Sequence, residues 1–251
     1  MNKIKIGFIL GAFLFFAQTY AQLGDNKFPS YFGIQVKTLF PSSFIANPNT
    51  ILEKEGLSAT LHQKIGYSFG ATVRAGLTEF ISMETGINYT QRFFDISGSI
   101  ADSNVFINNQ MGFIQYDIPI NALIYIKMTK KWYANASLGF AAGFKPTSIA
   151  TTNNLNGSQF FYNTGVVQKK FSLDLNGNFG LEYRSKKAGV YYVGTSVRLP
   201  LKPLFVYVAT YKNQGYKVTQ YGDVAGGYLS VDFKYFFHTT RARDLPQRPI
   251  E

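Results

Sequence analysis

The sequence contains no cysteine, only two histidines and few charged residues, and each shortage excludes a class of protein. Without cysteine the chain forms no disulfide, offers no thiolate to a metal and cannot carry the acylated cysteine of a lipoprotein. His62 and His238 are far apart, and the carboxylates are scattered without the spacing of metal ligands. No glycine-rich phosphate loop is present. We therefore expect no metal and no cofactor.

Long apolar runs are also missing beyond the N-terminus, which excludes membrane-spanning helices in the rest of the chain. The N-terminus has a basic start (Lys3, Lys5), an apolar stretch over residues 6–17, and small residues at Thr19 and Ala21. This layout predicts a secretory signal peptide over residues 1–21 that is cleaved after Ala21. An uncleaved anchor is the alternative, but the apolar run is too short to span a bilayer comfortably.

Aromatic residues and glycine are abundant instead. The chain has 24 Phe, 17 Tyr and 23 Gly, with only 16% charged residues. Membrane barrels place aromatic residues at both bilayer interfaces and glycine where backbones crowd or bend. The formal charge of +11 raises the question of nucleic acid. An exported chain without a compact Lys/Arg run argues against such a partner.

Apolar residues recur with a period of two along the mature chain. In the clearest segment Ile114, Ile118 and Ile120 alternate with Gln115 and Asp117. About eight segments share this pattern, each near the length that a tilted membrane strand requires: 31–40, 66–77, 80–93, 113–127, 132–144, 171–184, 190–199 and 228–237. The pattern predicts an all-β, up-and-down antiparallel transmembrane barrel.

The connections between these segments alternate between short and long. Short turns are expected at 78–79, 128–131 and 185–187, and long connections at 41–64, 94–112, 145–170 and 200–227. This alternation is typical of outer-membrane barrels, with short periplasmic turns, long outer loops and, for an even strand count, both termini in the periplasm. We expect a barrel domain over 22–237 and a polar periplasmic tail over 238–251. Asn156-Gly157 and Asn213-Gln214-Gly215 predict hairpin turns inside two long connections.

The polar face of each segment carries all the charge, whereas the apolar face has none. This favours a membrane barrel over a soluble, lipocalin-like one, because an exposed Lys or Arg at the bilayer midplane costs roughly 2–4 kcal/mol. An eight-stranded lumen is just wide enough for its own side chains. The inner charges should therefore pair and fill the lumen, leaving no general pore. The predicted lumen set is Lys37, Arg74, Glu84, Arg92, Asp117, Lys127, Asp174, Glu182, Arg184, Arg198, Asp232 and Lys234.

A family resemblance follows from residues 113–144. The run from Phe113 to Tyr125 resembles the Y-x-I-P-x-x-x-x-Y strand of PorT-like small outer-membrane barrels, and residues 136–143 are similar to the glycine-rich strand that follows it. The resemblance extends along the mature chain to the aromatic strand 228–237. It implies a role in type IX protein secretion. Pro119 would require a bulge, since a strand paired on both sides needs its backbone donors.

The sequence leaves three functions open: a non-enzymatic accessory barrel in a larger assembly, a narrow channel, and a rim hydrolase acting on lipid. A hydrolase is disfavoured because His62, near Ser58 and Glu55, cannot meet His238 at the opposite end. Basic residues cluster around two short turns. Lys130, Lys131, Lys186 and Lys187 either meet lipid headgroups or dock a periplasmic partner, which includes a secretion component. Outer-membrane lipids and the barrel-insertion machinery are the other expected partners.

Overall fold

The alternating segments form β-strands throughout the part of the chain that the structure describes. The structure is a computed structural model and describes residues 30–78, 80–101, 105–155, 157–185 and 188–238. The strands are β1 (Tyr31–Pro41), β2 (Asn49–Lys54), β3 (Leu57–Gln63), β4 (Gly66–Gly76), β5 (Ile81–Ile100), β6 (Val105–Lys127), β7 (Trp132–Phe144), β8 (Ile149–Asn154), β9 (Gln159–Val166), β10 (Phe171–Ser185), β11 (Gly189–Pro200), β12 (Phe205–Asn213), β13 (Tyr216–Val224) and β14 (Tyr228–Phe236). Within those ranges, no helix has the length and apolarity to cross a membrane. The predicted signal peptide and tail residues 239–251 lie outside the described residues.

Eight of these strands close into a ring. The order is β1-β4-β5-β6-β7-β10-β11-β14, with β14 paired back to β1 and every neighbour antiparallel. Each ring strand lies beside the next ring strand along the chain, so the topology is up-and-down. The predicted antiparallel barrel of about eight strands is confirmed.

The long connections are hairpins that extend the barrel at one end, which we call the long-connection side; the opposite end is the short-turn side. The pairs β2–β3, β8–β9 and β12–β13 fill three of them. Gln214 and Gly215 have positive φ values of 38° and 93° at the β12–β13 turn, as predicted from the sequence. The fourth prediction, a long connection over 94–112, is wrong: β5 and β6 stay paired from Ile81–Ile124 to Ile100–Val105.

These extensions form a structure that we call the β-cap, made of β2, β3, the distal parts of β5 (94–100) and β6 (105–113), β8, β9, β12 and β13. Strand β3 continues the sheet beside β5, while β13-β12-β9-β8 forms a second, separate sheet. The Asn109 and Asn153 amides hydrogen-bond between β6 and β8. The Thr50 hydroxyl donates to the Asp223 carbonyl, 3.3 Å away, between β2 and β13. The two sheets enclose one apolar core.

The chemistry of the inner face reverses along β5 and β6. In the ring most inner residues are polar, as in Glu84, Asn88 and Asp117, and all three are buried. In the β-cap the same face becomes apolar. The cap core consists of Leu52, Leu57, Ala59, Leu61, Phe94, Ile96, Ile100, Ile107, Met111, Phe113, Phe161, Leu204, Phe205, Tyr207, Ala209, Tyr211, Val218 and Val224. Membrane barrels bury polar groups and soluble barrels bury apolar ones, so the reversal marks where lipid gives way to water.

Two local irregularities accompany this fold. Between Gln63 and Tyr67, residues 64–66 face only residues 92–93 of β5, so the chain gains one residue and its inner face changes from odd to even positions. At Pro119 the predicted bulge is absent. The β5–β6 ladder is simply interrupted at 118–119, opposite 86–87, and resumes in the same register. The missing proline donor is accommodated by that gap in the pairing.

The outer face of the ring is apolar and exposed. Ile34, Ile87, Ile120 and Val193 are each at least half exposed, as expected for side chains that meet lipid rather than water. Aromatic rings gather at both ends of this band. On the long-connection side they are Tyr67, Phe69, Tyr89, Phe93 and Tyr116; on the short-turn side they are Phe32, Trp132, Tyr183, Tyr191, Tyr235 and Phe237. These two girdles bracket the hydrocarbon layer.

Candidate functional site: the filled lumen and its two ends

The densest group of buried charges lies in the lumen near the short-turn side. We call Arg74, Glu84, Glu182, Arg184 and Lys234 the short-side cluster. Arg74 donates to Glu84 from Nε (3.0 Å) and Nη2 (2.7 Å), and to Glu182 from Nη1 (2.5 Å). Lys234 pairs with Glu84, and Arg184 Nε donates to Glu182 at 2.6 Å. These contacts join β4, β5, β10 and β14, so the cluster bridges the barrel from wall to wall.

Aromatic rings support the cations of this cluster. The Arg74 guanidinium lies 4.2 Å from the centroid of the Phe236 ring. Arg184, which is partly exposed, lies 3.9 Å from the Tyr133 ring and 4.9 Å from the Tyr125 ring. Guanidinium groups stack favourably on aromatic faces, and more strongly where water is excluded. The rings therefore fill the space beneath the ion pairs and hold the guanidinium groups in one orientation.

A second pair occupies the middle of the lumen. Lys37 Nζ lies 3.0 Å from Asp232 Oδ2. Ser196 and Ser230 also donate to the Asp232 carboxylate, at 2.8 and 2.5 Å. Asn178 Nδ2 is a fourth donor to this carboxylate, at 3.3 Å. A buried carboxylate is stable only when its lone pairs are satisfied, and these four donors meet that need.

The third level consists of Asp117, Asp174 and Arg198, which we call the long-side cluster. Arg198 donates from Nη2 to Asp117 at 2.6 Å and from Nε to Asp174 at 2.9 Å. Thr90 donates to Asp117 at 2.8 Å. Since β6, β10 and β11 supply the three charged groups, this cluster also ties separate parts of the wall together.

Tyr192 fills the space between the charged levels. Its hydroxyl donates to Asn178 Oδ1 at 2.6 Å, and its ring lies over Gly180 and Gly194. A Cβ atom at either glycine would overlap the Tyr192 hydroxyl. Glycine on the inner face is therefore needed to make room for a large ring in a narrow lumen.

Arg92 lies beyond the long-side cluster, directly under the β-cap. It is 1% exposed and donates from Nη1 to the carbonyl oxygen of Gly226. Its guanidinium lies 4.8 Å from the Tyr228 ring centroid, while Nε and Nη2 have no hydrogen-bond partner. Among the residues that the structure describes, Arg92 pairs with no carboxylate. This side chain therefore differs from the other lumen arginines.

The apolar core of the β-cap closes the lumen above Arg92. The Phe205 ring packs 5.2 Å from the Phe113 ring and 5.3 Å from the Phe94 ring. Phe113 and Phe94 are fully buried, and Phe205 nearly so. Phe205 is the first residue of β12, so the second sheet inserts this ring between residues of β5 and β6. The lumen is thus filled by paired charges and then covered by packed aromatic rings.

The structure places the predicted lumen residues unequally. Ten of the twelve take part in ion pairs on the inner face of the ring: Lys37, Arg74, Glu84, Asp117, Asp174, Glu182, Arg184, Arg198, Asp232 and Lys234. Arg92 is in the lumen without a carboxylate. Lys127 differs from the prediction: it is exposed and makes no ion pair within the described ranges, because β6 ends there at the rim.

Two other predicted groups lie at the surface. Lys130 and Lys131 are exposed in the turn between β6 and β7, whereas Lys186 and Lys187 lie outside the described residues. His62 is exposed on β3 with its Nδ1 2.5 Å from Asn49 Oδ1. Ser58 is four residues away on the same extended strand, about 13 Å along it, too far for a hydrogen bond. His238 is exposed beyond β14, at the other end of the barrel.

Sequence reasoning missed the apolar core of the β-cap. The alternation in β6 continues without a break from residue 105 to residue 125, yet its inner members change from Ile107 and Phe113 to Gln115 and Asp117. This unbroken alternation, in which the inner residues change from apolar to polar, could have predicted the apolar core of the β-cap from the sequence. From the sequence, residues 94–112 are instead assigned to a long connection between two membrane strands.

A family match agrees with this architecture. The family model described as "Outer membrane protein beta-barrel domain" matches residues 16–206. A search of curated proteins found no match. Among solved structures, the chain is similar to the outer membrane protein OprG from Pseudomonas aeruginosa, with 11% identity and a TM-score of 0.49, over 84% of this chain and 96% of that one. A weaker similarity, with 6% identity and a TM-score of 0.20, covers 82% of this chain and all of the beta domain of the Bordetella autotransporter BrkA. With a family match over most of its length and an eight-stranded ring bearing an apolar outer face, the chain belongs to the outer-membrane β-barrel domain family.

Proposed function

We propose that this outer-membrane barrel is a non-conducting, non-enzymatic accessory component that acts by contact with other proteins. The observation that supports it most directly is the filling of the lumen. The short-side cluster and the long-side cluster occupy it in turn, and Phe113 and Phe205 pack above them. A solute passing through would have to break several buried ion pairs and displace packed rings, each at a cost of kilocalories per mole.

The surfaces left for function are those outside the bilayer. The β-cap projects beyond the aromatic girdle on the long-connection side, and Lys130 and Lys131 are exposed on the other. In the proposed orientation the cap faces the exterior, both chain ends face the periplasm and the basic turns meet a periplasmic partner. The resemblance of residues 113–144 to PorT-like barrels makes type IX protein secretion the process we propose.

Conductance of the purified protein in planar bilayers tests the first part. We expect no large, long-lived steps, because paired charges and packed aromatic rings occupy the lumen in turn. A positive control is the triple variant Phe113→Ala, Phe205→Ala, Arg198→Ala, which removes the covering rings and the upper ion pairs. Reproducible steps from the unaltered protein would reject the contact model in favour of the narrow channel.

Affinity purification tests the second part. The tagged protein, extracted from membranes in mild detergent, should retain a secretion component at near-stoichiometric yield. The variant Lys130→Glu, Lys131→Glu should lose that component and still insert, whereas Lys212→Glu, Lys217→Glu on the β12–β13 hairpin serves as the control of equal charge. Recovery of the barrel alone, or equal retention by both variants, would contradict periplasmic docking through these lysines.

Cysteine labelling tests the orientation separately. Single cysteines at Asn154 and Lys212, both exposed in the β-cap, should react with an impermeant thiol reagent on intact cells. A cysteine at Lys130 should not react until the outer membrane is permeabilised. The chain has no cysteine of its own, so the background is clean. The reverse pattern would place the β-cap in the periplasm.

A further inference from the structure

A basic pocket opens at the boundary between the barrel and the β-cap. It has a volume of about 200 Å³ and is lined by Lys145, Lys169, Lys202, Phe171, Leu204 and Phe205, with Gln168, Pro203 and Val206 at its edge. Lys169 and Lys202 are exposed at its mouth, whereas Lys145 is 3% exposed at its base. Three lysines from two separate connections therefore converge on one cavity.

Hydrogen bonds hold Lys145 in place at the base of the pocket. Lys145 follows the last residue of β7, where its backbone N–H donates to the Lys170 carbonyl oxygen at 2.7 Å. Its ammonium group donates to the Leu204 carbonyl oxygen at 3.0 Å, which uses one of three donors. Within the described ranges, none of the three lysines pairs with a carboxylate. Burial and the nearby Arg92 guanidinium lower the pKa of Lys145, while Asp174 opposes that shift.

The surroundings of the pocket identify the kind of anion. Phe171 lines it and is 74% exposed on the lipid face, with its ring 5.2 Å from that of Phe144. Leu173 and Leu201 are also exposed close by in sequence, so an apolar surface continues from the pocket into the hydrocarbon band. A small soluble anion would contact the lysines but not this apolar surface. A lipid with a phosphorylated headgroup matches both parts, because its phosphate meets the lysines and its acyl chains lie on the apolar residues.

We propose that this pocket binds the phosphorylated headgroup of a lipid in the membrane leaflet beside the β-cap. Lys145 contacts the phosphate at the base and Lys169 and Lys202 enclose it at the mouth. Lysine suits this role because its ammonium is a point charge with three donors. The inference is independent of the contact function proposed above and relies on the proposed orientation only for the choice of the outer leaflet.

Native mass spectrometry of the purified, folded protein with lipid A, a diphosphorylated glycolipid, tests the proposal. We expect the unaltered protein to retain one lipid A molecule. The double variant Lys169→Gln, Lys202→Gln should need about thirtyfold more lipid for the same occupancy, since each of the two lysines near an anionic headgroup is worth about a kilocalorie per mole. Both side chains are exposed, so this variant should fold normally. Lys145→Gln should weaken binding further.

The control variant is Lys212→Gln, Lys217→Gln, which removes the same charge from an exposed hairpin away from the pocket. Its occupancy should equal that of the unaltered protein. Equal loss in both double variants would reduce the effect to overall charge and overturn the proposal. Unchanged retention in Lys169→Gln, Lys202→Gln, or displacement of lipid A by millimolar inorganic phosphate, would also overturn it.

Discussion

Replacing Arg74 with methionine should destabilise the folded barrel more than any exposed change of the same kind. Arg74 is 1% exposed and contacts Glu84 and Glu182, which are 3% and 0% exposed. Removal of one partner from a buried ion pair typically costs 3–5 kcal/mol, because a charge is left buried without compensation. Here Lys234 still pairs with Glu84 and Arg184 with Glu182. We therefore expect a loss near the lower end, about 3 kcal/mol.

Urea titration of the purified protein in detergent measures this loss, with the folded fraction read from the mobility of the unboiled band on a gel. Lys127→Met is the matched control, since Lys127 is exposed and should change the free energy of unfolding by no more than about 0.5 kcal/mol. The triple variant Arg74→Met, Glu84→Gln, Glu182→Gln should lose more stability than Arg74→Met alone, because Lys234 and Arg184 are then left without a carboxylate. Equal midpoints for Arg74→Met and Lys127→Met would refute the short-side cluster as a source of stability.

Three further predictions follow from the two solvents that the chain meets. Ile120→Arg on the lipid face should cost roughly 2–4 kcal/mol in the unfolding titration, whereas Ile51→Arg on the β-cap, with similar exposure, should cost almost nothing; equal effects would contradict the assigned membrane boundary. Gly194→Ala should lower the yield of folded protein on refolding into detergent, because its methyl group overlaps a buried ring, and a normal yield would show that the lumen has spare room. Phe205→Ala should cost about 3–5 kcal/mol of β-cap stability and increase protease cleavage of that region, while Tyr221→Ala, which is exposed, should leave both unchanged.

The ring was predictable from sequence because the bilayer imposes one rule on every strand. Each outer side chain must be apolar, so alternation appears in all eight segments and even the strand bounds follow closely, as for Trp132–Phe144. The charges that enter the lumen follow from the same parity. The ion-pair partners of these charges do not follow from parity, since Arg74 on β4 contacts Glu182 on β10 across the barrel. Sequence spacing carries no information on which walls face each other.

The β-cap escaped prediction for a related reason. Beyond the bilayer the outer face meets water, so the apolar residues move to the inner face without any change of strand. In β6 this happens between Phe113 and Gln115, two neighbours on one face. In the chain from β3 to β4 the extra residue at 64–66 shifts the parity as well, so Leu61 and Ser68 are both inward although one is odd and the other even. The rule that the apolar face points outward holds for strands in lipid and fails for the parts of the same strands that lie in water.

The same change of solvent explains why closure of the lumen needs two different chemistries. Within the bilayer, Asp117 and Arg198 can be buried because the narrow ring brings opposite charges within 2.6 Å of each other. In the β-cap the outer face of the strands meets water rather than lipid, so apolar side chains are buried on the inner face. Phe113 and Phe205 pack there and exclude water from the long-connection side of the ion pairs. Exclusion of water strengthens those pairs, since charges attract more strongly at a lower dielectric constant. Arg92 lies where the two regimes meet and, like the buried Lys145, pairs with no carboxylate within the described ranges. Opening a pore at this level would expose the apolar core of the β-cap to water, which opposes opening, whereas it would hydrate the uncompensated Arg92 guanidinium, which favours it.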